Sequence, residues 1–208
     1  KQYIQLIDVA KEKVIDSIVI ARSWLGLKFS ADEKYLYAAA GNNNMILKYS
    51  VRNNKIKLQD SIILGDKWPN KIWPVGIEID DANQLLYVVT KDNKSLYIID
   101  LNTKNTLLVT KMEAEGYACL LSPDKKQLYI SCWGCNKVLI FETESRKFIS
   151  EINVGDHPND MCLTKKGKFL FVANSNDNSV IIIDIVKQKV IETLNCALYP
   201  NSPTGSTT

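Results

Sequence analysis

The sequence predicts an all-β fold made of consecutive four-stranded antiparallel sheets. Short runs of β-branched and aromatic residues, such as 168–173 and 180–185, alternate with turns rich in Asn, Asp, Lys and Gly. No window has a sustained helical period of 3.6 residues, so helices should be nearly absent. Four short strands recur about every 42 residues. This period is typical of one blade of a β-propeller.

Two kinds of residue, each in a different predicted strand, recur along the chain at the same spacings. One is an aromatic residue that follows a polar turn, and the other is a polar residue that ends a later apolar run. The first series is Tyr37, Tyr87, Tyr129 and Phe171, and the second is Asp8, Ser50, Asp100, Glu142 and Asp184. We expect the four aromatic residues to lie at equivalent, largely buried positions in the second strand of each blade, with 161–163 in an innermost strand.

The repeat divides residues 1–208 into parts of one propeller module. Residues 1–20 are expected to end a blade, and 196–208 to begin another. The complete blades are expected at 21–63, 64–110, 111–154 and 155–195, and the second of them carries an inserted loop. We therefore expect about four complete blades plus partial ones, from a larger closed propeller.

Composition excludes several classes of partner. The 26 basic and 23 acidic residues leave a net charge of +3, which is too small to indicate a nucleic-acid-binding protein. No apolar run reaches the ~18 residues that a membrane-spanning helix needs. We expect no cofactor, because no Gly-rich phosphate loop and no cluster of carboxylates is present.

The five cysteines do not indicate the redox compartment of the protein, because an odd number cannot all pair in intramolecular disulfides. Cys132 and Cys135 have CxxC spacing, but they lie at a strand end and not at the start of a helix. No second CxxC or His pair completes a zinc site. We interpret the two as structural thiols, with a local disulfide as the alternative, and expect neither metal binding nor catalysis.

One face of the blades is the candidate binding surface. In an up-and-down blade, the loop between the second and third strands and the connection to the next blade emerge at the same end. These loops carry aromatic residues and Asn, which are frequent at recognition surfaces. The candidate ligand- or partner-binding residues are Trp24, Trp68, Trp73, Tyr117, Trp133 and His157. The alternative is that Asn stabilises turns and Trp caps the core.

The loop inserted in the second blade carries two of these tryptophans. Eight extra residues lie between Ser50 and Asp100, near 64–73, and they place Trp68 and Trp73 in one loop. An added aromatic loop favours a binding role. Its alternative is a loop that packs over the mouth of the propeller channel.

No catalytic residue is predicted. His157 is the sole histidine, and no Ser/His/Asp arrangement can be read around it. The sequence therefore favours a protein that is not itself an enzyme, and the question stays open.

Residues 122–130, which read SPDKKQLYI, and 171–174, which read FVAN, resemble the YVTN β-propeller repeat. The turn glycine of that repeat is kept only as Gly167. The resemblance implies a bacterial periplasmic or cell-surface module that presents its loop face to a protein, small molecule or glycan. An alternative comes from residues 198–207, which resemble the segment joining such a propeller to an alkaline-phosphatase-like phosphoesterase. A haem or quinone enzyme using the propeller channel is a weaker third interpretation.

Overall fold

The computed structural model describes residues 2–20, 23, 25–66, 69–197, 199 and 203. These residues form eighteen β-strands and one short 3₁₀ helix, Gly41–Asn43. The predicted all-β fold of four-stranded antiparallel sheets is therefore confirmed. Within this part of the chain, no helix has the length and apolar character needed to cross a bilayer.

The strands form one two-stranded and four four-stranded sheets. The two-stranded sheet pairs β1 (Gln2–Asp8) with β2 (Lys13–Ile20). Sheet I contains β3 (Leu27–Phe29), β4 (Tyr35–Ala39), β5 (Met45–Arg52) and β6 (Lys55–Ile63). Sheet II contains β7 (Pro74–Asp80), β8 (Leu85–Thr90), β9 (Ser95–Asp100) and β10 (Thr106–Lys111). Sheet III contains β11 (Gly116–Leu121), β12 (Gln127–Cys132), β13 (Lys137–Glu142) and β14 (Lys147–Asn153). Sheet IV contains β15 (Pro158–Leu163), β16 (Phe169–Asn174), β17 (Ser179–Asp184) and β18 (Lys189–Asn195).

Every four-stranded sheet is an up-and-down meander in which each strand pairs with the next one in the chain. The chain divides into two compact units, residues 1–110 and 111–208. Within the first unit, β7 packs against β3 and β4, and within the second, β15 packs against β11 and β12. Neighbouring four-stranded sheets of a unit thus meet through their first strands, as the blades of a propeller do, and the two-stranded sheet contacts sheet I through β2 and β6.

The four repeated aromatic residues occupy the third position of β4, β8, β12 and β16. Their predicted equivalence is confirmed, but their burial is not uniform. Tyr37, Tyr87 and Tyr129 are at most 3% exposed, whereas Phe171 is half-buried. Tyr129 shares a core with Met161 and Leu170 of sheet IV. No described strand covers Phe171 in the same way, because sheet IV is the last sheet in the described part of the chain.

Two of the turns between first and second strands share one hydrogen-bond pattern. In sheet I, the Ser30 hydroxyl donates to Asp32 Oδ1 at 2.7 Å, and Asp32 also accepts from the Lys34 N–H at 3.1 Å. Ser122 and Asp124 form the same turn in sheet III, at 2.6 Å and 3.1 Å. The hydrogen bond from Ser30 is the main reason that the pKa of Asp32 is lowered from 3.8 to about 2. The hydrogen bond from Ser122 is likewise the main reason that the pKa of Asp124 is lowered.

Because the pKa of Asp32 is lowered in the folded protein, we expect the free energy of unfolding to fall in acid. A carboxyl whose pKa is depressed by folding stabilises the protein above its unfolded pKa, and that contribution disappears as the pH falls through the folded pKa. We expect the stabilisation from Asp32 to decline between pH 3.8 and about pH 2. Urea unfolding of Asp32→Asn at pH 7 and across this interval should show lower stability at neutral pH and a flatter dependence on pH. Asp66→Asn, at an exposed loop carboxyl, serves as the control. An Asp32→Asn protein with the wild-type pH dependence would contradict the assignment.

Candidate ligand-binding face

The loops between second and third strands hydrogen-bond to the connections that enter the first strands. The Lys91 N–H donates to the Trp73 carbonyl at 2.9 Å in sheet II, and the Trp133 N–H donates to the Glu115 carbonyl at 2.7 Å in sheet III. In sheet IV, the Ser175 N–H donates to the His157 carbonyl at 3.1 Å. In each of these sheets, both kinds of loop therefore meet at one end, which we call the loop face of the sheet.

A left-handed residue ends every loop between second and third strands. These residues are Asn44, Lys94, Asn136 and Asn178, with φ between 51° and 56°. Asn tolerates this region of backbone conformation better than most residues. The Asn136 side chain accepts from the His157 N–H at 3.3 Å, and the Asn178 amide donates to the Pro203 carbonyl at 2.9 Å. These asparagines therefore hold loops together, as the alternative interpretation of the Asn-rich loops proposed.

Asn44 anchors the inserted loop of the first unit. Its amide nitrogen donates to the carbonyls of Asp66 and Asn70, both at 2.6 Å. Its amide oxygen accepts from the N–H groups of Ile72 and Trp73 at 3.1 and 3.2 Å. All four bonds are made by a side chain whose residue is completely buried. The Asn44 side chain thus fastens the described part of the insertion to sheet I, together with Ile72, which packs in the same core as Ile46 and Ile62.

Trp73 lies at the end of this insertion, directly before β7, and is half-buried. With Asn42, Asn70, Lys71 and Asp92, it borders a recess of about 300 Å³ that includes space open to solvent. Lys91 Nζ lies 5.8 Å from the centre of the Trp73 ring. The other two candidates of this unit, Trp24 and Trp68, lie outside the described residues.

Three of the predicted residues come together in the second unit. The rings of Tyr117 and Trp133 are stacked, with centroids 6.4 Å apart and an interplanar angle of 26°. The His157 ring meets Trp133 edge-on at 4.4 Å and 86°. All three side chains are half-buried. We call Tyr117, Trp133 and His157 the aromatic cluster.

The fold brings the aromatic cluster together from three different places in the sequence. Tyr117 is the second residue of β11, Trp133 directly follows β12, and His157 directly precedes β15. The register of β11 against β12 shifts between Gly116 and Cys119, the stretch that contains Tyr117. His157 has a φ of 55°, which turns the chain sharply into β15. The cluster therefore spans the loop faces of two sheets within one compact unit.

Cys132 and Cys135 flank Trp133 and form a disulfide, with Cα atoms 5.5 Å apart. Our interpretation of these residues as structural thiols is therefore wrong, and the local disulfide is the correct alternative. The tight turn after β12 brings the two residues within bonding reach, which CxxC spacing alone does not establish.

A carboxylate oxygen of Glu113 lies within 4.8 Å of both sulfurs. Because the sulfurs are bonded to each other, this trio has no thiolates to offer a metal, and Glu113 pairs with Lys137 at 2.9 Å.

Two carboxylates lie beside the cluster, Asp156 at His157 and Asp160 near Tyr117. His157 Nδ1 lies 2.7 Å from Asp156 Oδ1 and 2.9 Å from the Asn176 amide. The hydrogen bond to His157 is the main cause of a lowered pKa at Asp156. Burial raises the pKa of Tyr117, and the nearby negative charge of Asp160 raises it further. The arrangement combines aromatic surface with acidic groups, which suits the binding of a ligand that carries positive charge.

The acidic residues were not among the sequence-predicted candidates. Asp156 and Asp160 read as ordinary loop residues, because Asp is common in turns and only the fold places them beside the aromatic rings. Their position on either side of His157-Pro158 was the one available signal.

Many solved structures resemble the chain, and two of them serve as examples. Hydrazine synthase from Kuenenia stuttgartiensis matches with a TM-score of 0.73 at 20% sequence identity, covering 83% of this chain and 49% of that one. A functionally unknown protein from Desulfotomaculum acetoxidans matches with a TM-score of 0.77 at 14% identity, covering 94% and 63%. Both are β-propellers. The chain has a β-propeller fold.

Sequence comparisons agree with this fold. Residues 109–194 match the model of the family described as "Lactonase, 7-bladed beta-propeller". YncE of Escherichia coli is 25% identical over 149 residues, which cover 71% of this chain and 40% of YncE. Antigen Lp49 of Leptospira interrogans is 25% identical over 108 residues, which cover 44% of this chain and 24% of Lp49. The chain thus spans less than half the length of either relative. These comparisons do not support the phosphoesterase alternative.

Proposed function

We propose that the chain is a non-catalytic β-propeller binding module that uses the aromatic cluster to contact a ligand or a protein partner. The observation that supports this most directly is the contiguous run of three half-buried rings across the loop faces of sheets III and IV. Aromatic side chains supply large contact areas at low cost in conformational entropy and are enriched at binding hot spots. A periplasmic or cell-surface location is part of the proposal and rests on the resemblance to the YVTN repeat.

The loops that carry the cluster are suited to present a fixed surface. Trp133 is held by its own N–H bond to the Glu115 carbonyl and by the disulfide on either side of it. A Cβ added at Gly134 would lie 3.2 Å from the Ala114 Cβ, closer than an ordinary van der Waals contact, so this turn also packs closely against Ala114. A preorganised surface loses less conformational entropy on binding.

Binding screens with matched variants test the proposal. A glycan array and a peptide array are probed with the wild-type protein, with Trp133→Ala and with Tyr117→Ala. Ligands of the wild type should bind each variant at least about tenfold more weakly, as expected for hot-spot residues. Tyr3→Ala removes a half-exposed aromatic residue of the first unit and should change nothing. Ligands that bind all four proteins equally would refute the aromatic cluster as the binding surface.

Lactone hydrolysis is a second candidate function, because the matching family model carries lactonase in its description. The imidazole of His157, 2.7 Å from the Asp156 carboxylate, would act as the general base in this reaction. Hydrolysis of gluconolactone by the wild type, lost in His157→Gln and kept in Tyr3→Ala, would favour this activity over a purely binding role.

A further inference from the structure

Charge is distributed unequally between the two ends of the sheets in the second unit. The loop-face segments 113–117, 132–137, 155–160 and 174–178 contain five acidic residues and one lysine. That lysine, Lys137, pairs with Glu113 and Glu151, each at 2.9 Å. The opposite turns, 122–127, 143–147, 164–168 and 185–189, contain nine basic and two acidic residues. The aromatic cluster therefore lies at the acidic end of a unit whose other end is basic.

Two amide oxygens in the segments next to the cluster are buried without a hydrogen-bond donor among the described residues. They belong to Asn159 and Asn174. Asn159 follows His157 by two residues, and Asn174 is the cross-strand partner of Pro158. Asn174 is only 3% exposed. Both oxygens have almost no solvent-accessible surface, and a buried acceptor without a donor is costly, so a donor that reaches either one after a local movement of its loop would be favoured.

The orientation of the Asn174 amide follows from its neighbours. The Ser179 hydroxyl donates to Asp177 Oδ1 at 2.6 Å, because an ionised carboxylate only accepts. Ser179 Oγ must then accept the bond that joins it to the Asn174 amide at 3.0 Å, which places the nitrogen there. The oxygen is thereby left as the atom without a donor.

Building on the proposed function, we propose that the aromatic cluster binds a primary ammonium group. Such a group offers three hydrogen-bond donors and no acceptor. It carries the charge that Asp156 and Asp160 favour, and it is attracted to the faces of Trp and Tyr rings. The alkyl chain behind the ammonium packs on the rings, as lysine side chains do on apolar surfaces. The source is a free alkyl diamine or a lysine side chain of a peptide.

Calorimetric titration with matched probes tests this proposal. The cations are 1,4-diaminobutane and a capped Gly-Lys-Gly peptide, and their neutral counterparts are butane-1,4-diol and the same peptide with norleucine. At least one cation should bind and its neutral counterpart should not, with an affinity that falls as salt is added. Trp133→Ala should weaken binding about tenfold and Asp160→Asn severalfold. Glu144→Gln removes one negative charge at an exposed turn of the opposite end and should stay within twofold of wild type.

The outcomes separate this inference from the proposed function. Binding of the diamine alone identifies a free amine as the ligand, and binding of the peptide alone identifies a lysine side chain. The inference is overturned if neither cation binds, if the neutral probes bind as tightly, or if Asp160→Asn equals wild type while its thermal melt is unchanged. If neutral array ligands bind and their binding depends on Trp133, the proposed binding function is supported but the ammonium specificity is not. If no ligand binds Trp133→Ala more weakly than wild type, both the proposed function of the aromatic cluster and the ammonium proposal are refuted.

Discussion

Replacing Tyr129 by alanine should lower the free energy of unfolding by about 4 kcal/mol, as expected for truncation of a fully buried aromatic side chain. Tyr129 is 1% exposed and shares its core with Val138, Ile140 and Leu170. The same burial raises the pKa of its hydroxyl to about 12. Phe171 occupies the equivalent position of sheet IV but is half-buried, so Phe171→Ala should cost only about half as much.

Urea unfolding monitored by circular dichroism measures both changes. Tyr129→Phe is the control for packing, because it keeps the ring and removes only the hydroxyl that donates to Gln127 Oε1 at 2.8 Å. That variant should lose about 1 kcal/mol. Equal losses for Tyr129→Ala and Phe171→Ala would mean that the two equivalent positions are equally covered, contrary to the structure.

The sequence predicts the strands and the register of the repeat well because two independent residue series mark each repeat. The aromatic residue of the second strand and the polar residue near the end of the third recur at the same spacing, and each strand alternates or runs apolar within a few residues. These are local properties of the chain. The exposure of Phe171 is not local, since it depends on which strands lie beside sheet IV.

The candidate site could be predicted only in part. Strand order alone indicates that Trp133 and His157 emerge at the same end of their sheets. Their ring contact at 4.4 Å depends also on the register shift in β11, on the positive φ of His157 and on the disulfide around Trp133. None of these has a distinct sequence signal, because a CxxC pair in a strand-end turn is compatible with free thiols. The carboxylates beside the rings were missed for a similar reason, since Asp is common in loops of every kind.

Asn44→Ala should lower the free energy of unfolding by about 3 kcal/mol or more, because the four hydrogen bonds of the side chain are lost together. The N–H groups of Ile72 and Trp73 would then lack their acceptor. Alanine is also disfavoured at the φ of 52° that Asn44 adopts. The inserted loop of sheet II should loosen before the strands separate, because its hydrogen bonds to the Asn44 side chain are lost while the packing of Ile72 in the core shared with Ile46 and Ile62 remains.

Three further variants identify the cause of the loss. Asn44→Gly removes the same bonds while tolerating the positive φ, so it should remain severely destabilised but less so than Asn44→Ala. Asn44→Asp keeps an acceptor for the two N–H groups and loses both donated bonds. Asn43→Ala, at a neighbour whose side chain forms no hydrogen bond with a described residue, should unfold like wild type. Hydrogen exchange should show faster exchange of the Ile72 and Trp73 amides in Asn44→Gly and unchanged exchange in Asn43→Ala. Protection of these amides in Asn44→Gly equal to wild type would show that other contacts hold the insertion in place.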